Sequence, residues 1–118
     1  MLVTLPKPPS ITHLYNVTCR GGFPHFYIGA KGKAFFEEAG YIVKAAFKHR
    51  KPYAGDITLY LTLYTARTSD LDNVFKATQD LLQKTGIIKN DRLITFFQGI
   101  KIKVKPKDEK IEIEIPEL

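Results

Sequence analysis

Ile57-Thr58-Leu59-Tyr60-Leu61-Thr62-Leu63-Tyr64 alternates without interruption, with Ile57, Leu59, Leu61 and Leu63 on one face and threonines and tyrosines on the other. A period of two with one apolar face is the signature of a half-buried strand. It is the strongest strand signal in the chain, and we place it centrally. Its end delivers the backbone to Asp70-Leu71-Asp72-Asn73-Val74-Phe75-Lys76. Here the period changes. Leu71, Val74, Phe75, Thr78, Leu81 and Leu82 follow the i, i+3, i+4, i+7 rhythm of one buried helix face. Asp72, Lys76, Gln79, Asp80 and Gln83 fall on the opposite face, and Thr85-Gly86 ends the helix, with Lys84 suited to its last turn.

This junction of strand and helix holds the candidate site. Asp70 and Asp72 stand at the helix entry, Lys76 one turn further on, and Asp91 just after the chain turns back. If Asp70 closes an extended segment, its side chain and that of Asp72 point the same way. Inside a helix they would diverge by about 200°. Carboxylates converging on one point repel unless a cation neutralises them. Hard oxygens with no His or Cys suit Mg²⁺, or Mn²⁺ in its place. Lys76 could bind a phosphate or steady charge in a transition state. Each part also has an ordinary explanation. Acids near helix N-termini accept orphan N–H bonds and complement the dipole. Asp72 and Lys76 form an i, i+4 pair worth roughly 0.3–0.5 kcal/mol, and Asn90-Asp91 is a turn signal.

At these residues the chain resembles the RusA-type Holliday-junction resolvases, small dimeric endonucleases of bacteria and their phages. The resemblance rests on Asp70-Leu71-Asp72-Asn73, Lys76, a helix with a glycine stop, and Asp91. Fainter similarity runs through Pro8-Pro9-Ser10, Lys31-Gly32-Lys33-Ala34 and the C-terminal strands. It implies that Asp70, Asp72 and Asp91 hold the metal, that Lys76 assists cleavage, and that Asn73 steadies the site or the DNA. The chain departs from the family pattern at Thr12, where an Asn often stands, and at Asn90, where an acid often precedes Asp91. It is also less basic at Arg67-Thr68-Ser69.

Outward from the site, Leu2–Leu5 reads as an edge strand ended by Pro6. Residues 10–29 read as a long irregular loop with Gly21-Gly22 and Pro24 as breakers, closing in a short strand, Phe26–Ile28. Its aromatics Tyr15, Phe23 and Phe26 pack on the core or stack on unpaired bases. The first helix spans about Lys31 to Arg50, with Phe35, Phe36, Ala39, Ile42, Val43, Ala46 and Phe47 inward, and Gly40 permitting close packing. Lys48, Arg50 and Lys51 at its end complement the dipole or contact DNA phosphates. Leu93–Val104 reads as a strand with Gly99 as a bulge. Beyond the turn at 106–110, Ile111, Ile113 and Ile115 form a last strand, and the pair reads as a hairpin. In it Lys101 and Lys103 meet Glu112 and Glu114, each pair contributing about 0.2–1 kcal/mol.

Composition bounds the rest. A chain of 118 residues, 44% hydrophobic and 25% charged, reads as one globular domain over 1–118. A net charge of +6 favours a polyanionic partner. A lone cysteine, Cys19, excludes an internal disulfide and suits a reducing, cytoplasmic setting. No apolar run reaches the roughly 18 residues of a membrane span. The three histidines share no metal-ligand spacing. The expected fold is α+β: a small mixed sheet of about five strands with two packed helices. The function implied by the resemblance is a Mg²⁺-dependent endodeoxyribonuclease that cuts four-way branched DNA as a homodimer, with Arg67, Asn73 and Lys76 among the DNA contacts. Two alternatives stay open: a non-catalytic nucleic-acid-binding module, and a related nuclease acting on other branched or flapped DNA.

Overall fold

The computed structural model describes residues 1–10, 15–48 and 51–118. Expectations for Thr12, His13, His49 and Arg50, and for the side chains of Tyr15, Cys19, Phe23, His25 and Phe26, lie outside the described residues. The elements in order are β1 (Leu2–Leu5), β2 (Tyr15–Arg20), β3 (Phe23–Ile28), α1 (Ala30–Ala46), β4 (Ile57–Thr65), α2 (Leu71–Lys84), β5 (Ile94–Lys103) and β6 (Lys110–Glu114). Short 3₁₀ turns at Asp91–Leu93 and Pro106–Asp108 precede β5 and β6.

Four strands form one mixed sheet in the order β1-β6-β4-β5, with β5 parallel to β4 and the other pairs antiparallel. The architecture is the expected α+β. β4 is central because its alternation places Ile57, Leu59, Leu61 and Leu63, none more than 1% exposed, against the helices. Ile111, Ile113 and Ile115 of β6 and its extension join them, with Val3 and Leu5 from the edge strand β1. Burying each such side chain contributes about 1.5–3 kcal/mol.

α1 covers this face with Phe35, Ala39 and Val43, and α2 with Val74, Ala77, Leu81 and Leu82. α1 stops at Ala46, earlier than expected. Phe47 turns into the core in extended conformation while its N–H still reaches the Val43 carbonyl at 2.8 Å. Pro52 further restricts the residue before it. The helices meet at Gly40, where an added Cβ would stand 3.2 Å from Thr85 Cγ2. Gly40→Val should therefore destabilise the fold by about 1–3 kcal/mol through overpacking. A thermal unfolding midpoint equal to the wild type's would contradict this contact.

Three further expectations change. Residues 15–28 are not an irregular loop with one short strand: β2 and β3 pair from Tyr15↔Ile28 to Arg20↔Phe23 as a separate two-stranded sheet. Gly21 and Gly22, at φ +59° and +81°, are its tight turn rather than mere breakers. The irregularity in β5 falls between the Ile57↔Ile94 and Thr58↔Phe96 pairs, not at Gly99. Finally, β5 and β6 are not a hairpin. β4 lies between them, so Lys101 is opposite Leu63 and Glu112 opposite Thr62. The lysine row and the glutamate row do not meet.

Candidate active site

Four residues, 66–69, join β4 to α2, and Asp70 closes the connection as the N-cap of α2. Its backbone is extended, at φ −82° and ψ 116°, and one carboxylate oxygen, Oδ1, accepts the Asp72 N–H at 3.0 Å. That bond satisfies one of the orphan donors of the helix. Asp70 is exposed, as is Asp72 in the first turn. Asp70 is thus a capping residue with an extended backbone, and Asp72 already belongs to the helix it caps.

The tilt of α2 is set by its contacts with β5. Leu71 lies over Gly99, where a Cβ would meet Leu71 Cδ2 at 2.7 Å, and Phe75 stacks on Phe97 at 3.8 Å between ring centroids. α2 therefore runs back toward the start of β5. Lys76, exposed one turn beyond Asp72, lies in that direction. Asp91, half-buried, opens the 3₁₀ turn that packs against α2 just before β5. Asn90 rather than Asp91 caps this turn, its Oδ1 accepting the Arg92 N–H at 2.9 Å.

Asp91 arrives near the N-terminal end of β4, where Ile94 pairs with Ile57, whereas Asp70 follows the C-terminal end. Among the described residues no three carboxylate, imidazole or thiol groups gather as a set that could hold one ion. The structure places Asp70 and Asp72 together at the helix mouth and sets Asp91 apart from them, toward the other end of β4. No hydrogen bond or ion pair ties the Asp72, Asp91 or Lys76 side chain to another described residue.

A cleft of about 380 Å³ opens beside Asp70. Its walls are Lys7, Pro8, Pro9 and Ser10 on one side and Arg67–Asp70 with Asn73 on the other. Arg67 and Asn73 thus share a surface with Asp70, as does the Pro-Pro-Ser segment. Lys48 and Lys51 do not. They are exposed beside the far end of α2, where Tyr53 N–H reaches the Ile87 carbonyl at 2.9 Å. Fourteen helical residues, about 20 Å, separate that end from Asp70.

Several neighbours had no signal in the sequence. Thr65, 5% exposed, ends β4 beneath the connection. Glu109 and Lys7 reach it from opposite ends of the chain, and the Lys101 ammonium donates to the Ser69 carbonyl at 2.9 Å. Only Lys101 was within reach of a pattern: it alternates with Gly99 and Phe97 on the helix side of β5.

The surroundings of Asp70 can be compared with known proteins. The family described as Endodeoxyribonuclease RusA matches residues 6–116. This chain belongs to the RusA family. Similar RusA proteins named crossover junction endodeoxyribonucleases come from both bacteria and a phage. That of Escherichia coli O139:H28 is 32% identical over 119 residues, covering 98% of this chain and 93% of its own. That of Enterobacteria phage 82 is 29% identical over 117 residues, with the same coverage. The Aquifex aeolicus RusA is 30% identical over 99 residues, covering 75% of this chain and 78% of its own. The RusA match takes in β1's exit, the Asp70–Lys76 block and Asp91 together, so it is a match to a RusA nuclease from cleft to C-terminal strand.

Proposed function

We propose that this protein is a Mg²⁺-dependent endodeoxyribonuclease that resolves four-way DNA junctions as a homodimer. The observation carrying the reading is the RusA match over residues 6–116, shared with relatives named crossover junction endodeoxyribonucleases along nearly their whole length. The local geometry agrees in kind: two exposed carboxylates at a rigid strand–helix junction, with an ammonium one turn on.

The donor set suits a hard ion. Within one chain Asp70 and Asp72 would hold it, since Mg²⁺ commonly takes one or two carboxylates, with waters and substrate phosphates completing its shell, while Asp91 lies toward the other end of β4. Three carboxylates at a single point are therefore not required. When bound, the ion supplies a Lewis acid for the phosphate and a more acidic water. The side chains do the rest. Lys76 offsets charge developing on the phosphate oxygens. Arg67 and Asn73, on the cleft wall beside Asp70, hold the DNA backbone by a charged fork and an amide. We place the activity in the cytoplasm, with the DNA it acts on.

Synthetic four-way, three-way and flap DNAs incubated with Mg²⁺ or Mn²⁺ test this directly. Paired nicks across the four-way junction are expected. A four-way junction left whole with either ion would sink the reading.

Paired cuts need two sites, hence a second copy related by a two-fold axis. The sheet face turned away from the helices presents Phe96 at 51% exposure, Ile100 at 47%, Ile102 at 39% and Tyr60 at 38%. Tyr60 and Phe96 stand edge to face at 6.1 Å. An apolar row of this kind, carried by a central and an edge strand, is unusual for a free surface. Ile100→Glu should convert a dimer to a monomer in sedimentation equilibrium, and a wild-type chain that stays monomeric at high concentration would contradict the dimer.

A further inference from the structure

We propose that Glu109 is a positioning residue for this site: it clamps the start of the 66–69 connection and thereby fixes where Asp70 and Asp72 stand. The inference rests on the nuclease reading above. Glu109 comes from the turn before β6, 37 to 39 residues along the chain from the two acids it serves, and it touches neither.

One oxygen, Glu109 Oε2, gathers three donors: the Ala66 N–H at 2.9 Å, the Thr65 hydroxyl at 3.0 Å and the Lys7 ammonium at 3.0 Å. The Thr65 hydroxyl is itself shared. It lies 2.9 Å from Lys7 Nζ, 3.0 Å from the Arg67 carbonyl and 3.2 Å from Ser69 Oγ. Three segments thus meet at one point: the exit of β1, the end of β4 and the turn before β6. At the far end of the connection, Lys101 holds the Ser69 carbonyl. The four residues leading to Asp70 are therefore fixed at both ends by side chains rather than by a backbone ladder.

The clamp depends on charge. Three donors on one oxygen exceed what a neutral carbonyl satisfies well, and bonds to an ionised acceptor are roughly twice as strong. The Ala66 N–H first, then the Lys7 ammonium, hold the Glu109 carboxyl below the ordinary glutamate range, so it stays ionised at neutral pH. The same pairing occupies Lys7, which lines the cleft yet already has an acceptor. A connection freed at its start would let the N-cap drift, and a displacement near 1 Å at a reacting group can lower the rate about 100-fold.

The test uses the full chain with Glu109→Ala, Glu109→Gln and Lys7→Met. The expected result for Glu109→Ala is a fall of about 10- to 100-fold in junction-cleavage kcat. Junction Kd measured in EDTA should stay within about twofold, because no DNA contact is removed. Glu109→Gln should lose about tenfold, keeping the shape without the charge. Lys7→Met should shift in the same direction by less. The amide NMR signals of Ala66, Arg67 and Asp70 should move in all three variants, while those of α1 stay in place. The depressed carboxyl also fixes a sign: its contribution is complete above about pH 4.3 and is lost as pH falls through the lower folded value. The wild-type melting temperature should therefore drop more steeply below that pH than that of Glu109→Gln.

A folded Glu109→Ala variant cleaving within twofold of wild type overturns the proposal. So does loss of Kd and kcat in equal proportion. Should Glu109→Ala fail to fold, a wild-type rate in Glu109→Gln overturns it instead, and a tenfold loss with unmoved Kd supports it. A wild type that cuts no junction defeats the nuclease reading and the clamp's role with it; a cutting wild type with unaffected variants defeats the clamp alone.

Discussion

Asp72→Asn should reduce junction cleavage by about 10²–10³-fold while leaving junction binding intact or tighter. The substitution keeps the size of the side chain and removes one exposed carboxylate in the first turn of α2. The N-cap bond survives, because Asp70 accepts from the backbone of residue 72 and not from its side chain. The fold should therefore persist, with at most about 0.3–1 kcal/mol lost from the interaction with the helix dipole. What disappears is a hard oxygen donor beside Asp70 and a negative charge next to the DNA phosphates. Loss of the donor lowers the rate, and loss of the charge strengthens binding. Nicking rates and gel-shift Kd values, measured side by side, separate these effects. Cleavage within about threefold of wild type would show that the acid merely caps the helix, as the competing nucleic-acid-binding reading requires.

Leu61→Ala should destabilise the chain by about 2–5 kcal/mol without altering any group at the site. Leu61 is 1% exposed on β4, between Ile113 of β6 and Gly99 of β5. The vacated space is hard to refill. Gly99 has no side chain to offer, and Leu71 is already packed down over it. Since small domains unfold for about 5–15 kcal/mol, this one truncation removes a large share of the total. Urea unfolding gives the number. A loss below about 1 kcal/mol would mean that the neighbouring helix collapses into the gap, and that the junction carrying Asp70 is less rigid than described.

The two variants mark the boundary between local and long-range information. β4, α2 and the Asp70 cap were legible in the sequence because each is decided within a few residues, by a period of two, a period of 3.6 and a side chain bonding two positions ahead. The same holds for the glycine stop after Lys84, where Gly86 takes φ +74°, and for the close approach at Gly40. β2 and the first half of β3 were missed for a local reason too: Gly21-Gly22 serves equally as a breaker and as a hairpin turn, and the partner strand decides which.

What the chain's order alone left undecided is which strands lie side by side. Lys101 and Lys103 alternate with isoleucines, Glu112 and Glu114 do likewise a short turn later, and a hairpin is the natural inference from that spacing. The sheet inserts β4 between them, with its inward leucines and isoleucine buried beneath the helices. That single choice places Lys101 on the Ser69 carbonyl and brings Glu109 under the connection to Asp70. It also sets Asp91 at the opposite end of β4 from the helix mouth, and Lys48 and Lys51 beside the far end of α2. Side-chain chemistry is written residue by residue, but strand pairing is settled by the total area that all the strands can bury together, and no short stretch carries that sum.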